Sequence, residues 1–277
     1  MTDKKDIAKR EPSAVAIPTE MPDFGEMKGA GFENQTQADV AIPFLGMLQQ
    51  LSPQLKKKNE ASYIEGAEAG DLINSVTNEL IPRPATIVPC TTDHLFVEWV
   101  PRESGGGFVD IHTLDSEVVK EAKAKSQGFN DLKTVDGNDL VETFYIYALL
   151  LDSPDATEAT TPIVIGFTST KIKVYKRIMT ALRTLKGEPP IFAFRLSINT
   201  VEEVNSAKQE YQNFTLNFVH GSAMTSINTP GSKFDGLLKA GMAFKEAVTT
   251  GDKKADHASQ GASSTAGAKS EDENAPF

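Results

Sequence analysis

Val141-Glu-Thr-Phe-Tyr-Ile-Tyr-Ala-Leu-Leu-Leu151 carries the densest strand signal in the chain. Phe144, Ile146, Ala148 and Leu150 fall on one face, with Thr143, Tyr145, Tyr147 and Leu149 on the other. That alternation is the period of a β-strand, in which successive side chains point to opposite faces. A Pro/Asp/Thr-rich loop, 152–162, leads to Ile163-Val-Ile-Gly-Phe167, so the two apolar runs are expected to pair antiparallel.

Beyond this pair, Lys171–Lys186 reads as an amphipathic helix. Tyr175, Ile178, Met179, Leu182 and Leu185 form its apolar stripe, and Lys173, Lys176, Arg177, Arg183 and Lys186 lie largely off it. Gly187 and Pro189-Pro190 stop it. Ile191–Thr200 alternates again, with Phe192, Phe194, Leu196 and Ile198 opposite Arg195, Ser197 and Asn199; Tyr211–Val219 turns Phe214, Leu216 and Phe218 inward. A last helix is expected near Phe234–Val248. Strands on both sides of one helix predict a mainly β body, an OB-like curved sheet or small barrel with an inserted helix.

Towards the N-terminus, Phe44, Leu45, Leu48 and Leu51 recur at helical spacing before Ser52-Pro53. Lys56-Lys57-Lys58 reads as a solvated turn or a phosphate contact. Asp71–Glu79 reads as a short extended segment. Pro82, Pro84 and Pro89 confine Leu80–Cys90 to an edge strand or extended connection, because proline donates no ladder hydrogen bond. His94–Val100 reads as a strand, with Leu95, Val97 and Trp99 on one face and His94, Phe96 and Glu98 on the other. A short helix is expected at Ser116–Lys125.

The 277 residues divide into an arm (1–40), a body (41–250) and a tail (251–277). The arm holds 8 acids, 5 bases and no sustained apolar period, and the tail is mostly Ala, Ser, Gly, Lys and Asp. Both are expected to be disordered, having too little apolar surface to offset chain-ordering entropy. The one cysteine, Cys90, excludes an internal disulfide and a multi-cysteine zinc site, and suits a reducing compartment. Asp3-Lys4-Lys5-Asp6 precedes no apolar core, so no export signal is expected, and no apolar run reaches membrane-span length. The expectation is a cytoplasmic protein with no membrane partner.

The net charge of −10 argues against a simple nucleic-acid binder, yet residues 161–220 hold 8 bases against 4 acids. Concentration on one surface decides phosphate binding, more than the total does. Catalytic patterns are missing: the four histidines lie in unrelated contexts, His257 within the tail. Asp110-x-His112 is the one short spacing that a metal would use, and a sheet edge or loop pair is the commoner reading. Gly105-Gly106-Gly107 lacks the Gly-Lys-Ser/Thr ending of a phosphate loop. No catalysis, cofactor or metal is expected.

Single-stranded nucleic acid asks less of a sequence, namely a basic track and aromatics on which bases stack. Lys171 and Lys173 lead the helix, where backbone N–H groups also favour phosphate. Lys176, Arg177 and Arg195 extend the track, and Tyr145 and Tyr147 are stacking or packing residues.

Two stretches carry a family resemblance. The end of the chain, Glu271-Asp-Glu-Asn-Ala-Pro-Phe277, resembles the acidic tips of bacterial and phage single-stranded DNA-binding proteins. Thr168-Ser-Thr-Lys-Ile-Lys173, Phe194–Asn205 and Tyr211-Gln-Asn-Phe214 are similar in order to phage members of that class with an OB fold. This chain departs from them in lacking a helix tryptophan and in having Ala207-Lys208 where glycine is common. The resemblance implies a protein that coats single strands in replication, recombination and repair, with homo-oligomerisation open. It also implies that Glu271, Asp272, Glu273, Pro276 and Phe277 recruit replication or recombination partners, such as a polymerase, helicase or primase. Two rivals remain: a virion structural or assembly protein, and a host-replication adaptor that binds no DNA.

Overall fold

The computed structural model describes residues 41–56, 62–126, 128, 131–159, 161–205 and 208–251, together with 27, 30, 31, 255 and 257. Strand β6 (Asp139–Leu151) pairs antiparallel with β7 (Thr161–Thr168), as the alternation predicted. Its other side pairs along its whole length with β4 (Ala85–Trp99). The far flank of β4 is shared: Ala85–Ile87 pairs with β8 (Leu196–Val204), and Phe96–Trp99 pairs with the short β5 (Phe108–His112). β8 then pairs with β9 (Glu210–Phe218). The order β7-β6-β4-β8-β9, with helix α2 (Ile172–Arg183) between β7 and β8, is the expected OB-like sheet with an inserted helix. Among the described residues no hydrogen-bonded pairing joins β7 to β9, so the sheet is not closed into a barrel.

β4 corrects in part the expectation of an edge strand or extended connection at Leu80–Cys90. Only Leu80–Ile81 forms a marginal strand (β3), and the segment from Ala85 runs into the middle of the sheet. Pro89 is tolerated there because the stretch of β4 between its β8 and β5 pairings has no described strand on that flank. The register with β6 also shifts between Pro89 and Thr91, the irregularity at which a missing donor costs least.

The open edges are met by the N-terminal segment. Its predicted helix is instead strand β1 (Leu45–Met47), paired with β2 (Leu72–Asn74), which pairs with β3. Leu45, Gly46, Met47 and Leu48 are all buried, and a short run apolar on every side fits either period. Phe44 bridges Val164 in parallel, and the Val164 N–H donates to the Pro43 carbonyl at 2.9 Å. On β9, the Gln49 side-chain amide donates to the Gln212 carbonyl at 3.0 Å and accepts from the Gln212 N–H at 2.9 Å. One glutamine thus supplies the paired contacts that another strand would make.

Each face of the sheet carries its own core. Ile87, Phe144, Ile146, Ile165, Phe167, Leu196, Ile198, Phe214 and Leu216 pack beneath Val174, Ile178 and Leu182 of α2. Burying each such side chain is worth about 1.5–3 kcal/mol. The opposite face, with Val88, Cys90, Tyr145, Tyr147, Leu149 and Val164, packs under Leu237 and Phe244 of helix α4 (Asp235–Thr249) and under Ile42 and Phe44. Gly241 lets α4 approach, since a Cβ there would lie 2.7 Å from Cβ of Phe192. Helix α1 (Glu117–Lys125), capped by the Ser116 hydroxyl accepting from the Val119 N–H, covers Phe96 and Leu140. Residues 191–193 form a 3-10 turn rather than the start of the predicted strand. The short helix α3 (Ala223–Ser226) completes the body before α4.

Candidate nucleic-acid interface

The register of β4 on β6 sets His94 opposite Phe144 and Phe96 opposite Glu142. The His94 imidazole lies flat on Phe144, centroids 3.9 Å apart and planes 16° apart. From this pair a file of rings runs both ways. On one side Phe96 stands 6.3 Å from His94; on the other, Tyr175 of α2 is 4.8 Å from Phe144, Phe167 is 5.6 Å from Tyr175, and Phe214 is 5.8 Å from Phe167. Three lysines stand over the file: Lys123 Nζ is 4.7 Å from the Phe96 centroid, Lys176 5.9 Å from Phe144, and Lys171 5.3 Å from Phe214. The phenylalanines are buried, whereas His94 and Tyr175 are half-buried and offer ring surface to solvent.

Among the predicted cations, Lys173, Lys176 and Arg177 are exposed on α2 with Arg183 and Lys186. None of these five, nor Lys171, forms an ion pair with another described residue. On α1, by contrast, Lys120 pairs with Glu117 and Lys125 with Glu121. Lys171 is half-buried, and burial pushes its ammonium down to about 8. It belongs to a 3-10 turn, Ser169–Lys171, that runs into α2 without a side-chain cap at either start. Lys173 lies in the field of Glu203, whose carboxyl is held below its usual range by hydrogen bonds from Tyr211 and Asn213, with a lesser contribution from Lys173.

Three predicted contacts are corrected. Tyr145 and Tyr147 are buried on the face that α4 covers, so no base can stack on them. The Tyr145 ring packs between Phe44 and His257, and burial followed by the charge of Asp93 raises the Tyr147 hydroxyl above its ordinary range. Arg195 is 2% exposed, with its guanidinium 3.7 Å over Phe234. It donates to the carbonyls of Thr225, at 2.9 Å, and of Pro154, tying α3 and the loop after β6 to the start of α4. Arg195 stands just before β8, and the loop at Pro154, α3 and Phe234 cover the side that the alternation had read as polar. Glu271, Asp272, Glu273, Pro276 and Phe277 lie outside the described residues. Within the tail, Ala255 bridges Ile42, and His257 stacks on Phe108 at 5.7 Å, so these two residues dock on the body.

Reading the sequence did not single out His94, Phe144, Glu142 or Lys123 for this role. The signal was present in halves, with His94 and Phe96 on one strand face and Phe144 on another, but only the register joins them. Among the described residues no cluster of three or more His, Cys, Asp or Glu side chains could hold a metal, and burial pushes the Cys90 thiol up to about 12. No helix among them is long and apolar enough to cross a membrane.

Fold and site together define a mainly β protein in which cations without an ion pair among the described residues share one side of an OB-like sheet with two half-buried rings, His94 and Tyr175. The chain belongs to a phage protein family described as Pam3 phage gp34-like protein, whose profile matches residues 12–262. No curated protein and no solved structure matches it.

Proposed function

We propose that this chain is a non-enzymatic single-stranded DNA-binding protein that coats strands in phage replication, recombination or repair and recruits partners through its acidic C-terminal tip. The half-buried rings of His94 and Tyr175, set in the file from Phe96 to Phe214 with Lys123, Lys176 and Lys171 over it, carry this reading. Sequence-independent single-strand binding needs ring faces for bases and cations for the backbone. OB folds bind oligonucleotides over their second and third strands and the loop between their first two. Here β6 and β7 hold those places, and α1 with Lys123 lies in the corresponding connection. Lys173, Arg177, Arg183 and Lys186 extend the basic surface along α2.

The test is a titration of the intact chain with a labelled single strand and a duplex of equal length, at two salt concentrations. The single strand is expected to bind tighter, with log affinity falling linearly in log salt by about 0.7 per neutralised phosphate. Equal or tighter duplex binding, or no binding at low salt, rejects the reading in favour of a virion structural role. Phe277→Ala tests the tip separately: partner recruitment is lost while single-strand affinity holds. Recruitment that survives this substitution removes the terminal Phe as a hook.

A further inference from the structure

Resting on the single-strand reading above, we infer that Glu142 makes the site selective for amino-bearing bases, cytosine foremost among the pyrimidines, over thymine. One face of His94 is covered by Phe144, centroids 3.9 Å apart, and Phe96 stands 6.3 Å away. The imidazole side chain is 30% exposed, so a base would stack on the ring surface that this exposure leaves. His94 Nε2 lies 2.8 Å from Glu142 Oε1. An ionised carboxylate only accepts, so Nε2 carries the proton and donates. A hydrogen bond of this kind lies near the plane of the imidazole, which fixes the carboxylate at the rim of the ring. The edge of a base stacked on His94 falls over that rim.

Glu142 is free to read that edge. Its side chain is 31% exposed, and Oε2 has no hydrogen-bond partner among the described residues. Cytosine presents an exocyclic N4–H2 donor, and adenine and guanine also carry amino donors. Where cytosine has its amino group thymine offers the O4 carbonyl, so oxygen would face oxygen there, and the donor that thymine has on this edge, N3–H, lies one position further along the ring. A carboxylate at a stacking step is otherwise a liability in a nucleic-acid site, because it repels phosphate. Here Lys176, over Phe144, and Lys123, over Phe96, stand on the same file to hold the backbone away from it.

Fluorescence anisotropy of the intact chain with labelled oligo-dC and oligo-dT of one length and at one salt concentration tests this. Oligo-dC is expected to bind roughly tenfold tighter, the discrimination of one charge-assisted base contact. Glu142→Gln should bring the ratio towards one while raising affinity for both strands, since glutamine offers donor and acceptor and removes a negative charge. An N4,N4-dimethylcytosine oligomer with the unaltered chain should lose the advantage likewise, and it decides the matter if the variant misfolds. Thymine binding as tight as cytosine, or a cytosine preference that survives N4 dimethylation, overturns the inference. Binding to neither strand rejects the single-strand reading itself.

Discussion

The two faces of strand β6 carry aromatic residues at neighbouring positions and use them oppositely. Tyr145 and Tyr147 lie under α4 and the N-terminal segment, while Phe144, one residue away, lies under His94 beside the half-exposed Tyr175. Residue type therefore says little about role here. A ring serves the core when another element covers it and can serve a ligand when its stack ends at solvent.

The two faces differ most in stability. Tyr145→Ala removes a fully buried ring and should cost about 3–5 kcal/mol, read as a lower denaturant midpoint. A stable Tyr145→Ala chain that fails to bind DNA would exchange the roles of the two faces. On the other face, Tyr175→Leu keeps apolar bulk and removes the π surface. It should leave the melting temperature near that of the parent chain while single-strand affinity drops by about 1–3 kcal/mol, with the salt slope unchanged. A large loss of stability with intact binding would make Tyr175 a packing residue only.

The cations sharpen the contrast with a smaller effect. Replacing Lys173 and Lys176 by Ala should flatten the salt dependence by about 0.7 for each phosphate that a lysine no longer neutralises. Arg195→Ala should lower stability with no change in that slope, because its guanidinium holds carbonyls rather than solvent. The smallest effect is a pH dependence. Burial alone would raise the Glu98 carboxyl, but hydrogen bonds from Asn138 and His112, and the charge of His112, hold it below the ordinary glutamate range. Glu203 is depressed as well, by Tyr211 and then Asn213. A depressed folded value means that their contribution is complete above the unfolded glutamate value of about 4.3 and fades as pH falls through the folded values. Thermal melts between neutral and acidic pH should show this loss, and Glu98→Gln should reduce it.

Some features were legible from sequence because their signals are local. The stripe of α2, the Ser116 start of α1 and the alternation of β6 each follow from neighbours a few residues apart, although α2 ends at Arg183, short of the stop read at Gly187 and Pro189-Pro190. The same spacing misled where a segment is buried on all sides, as at β1, and where proline sits in a strand that lacks a neighbour along part of one flank, as at Pro89.

By itself the sequence determined a β-rich body with one strongly basic helix, since period and charge pattern are properties of short windows. Only tertiary structure decided which helix covers each face of β6, because a period of two is unchanged when the faces are exchanged. That choice rests on α2, on α4, and on the register that lays His94 upon Phe144. Each joins distant parts of the chain and is fixed by packing that no local window contains.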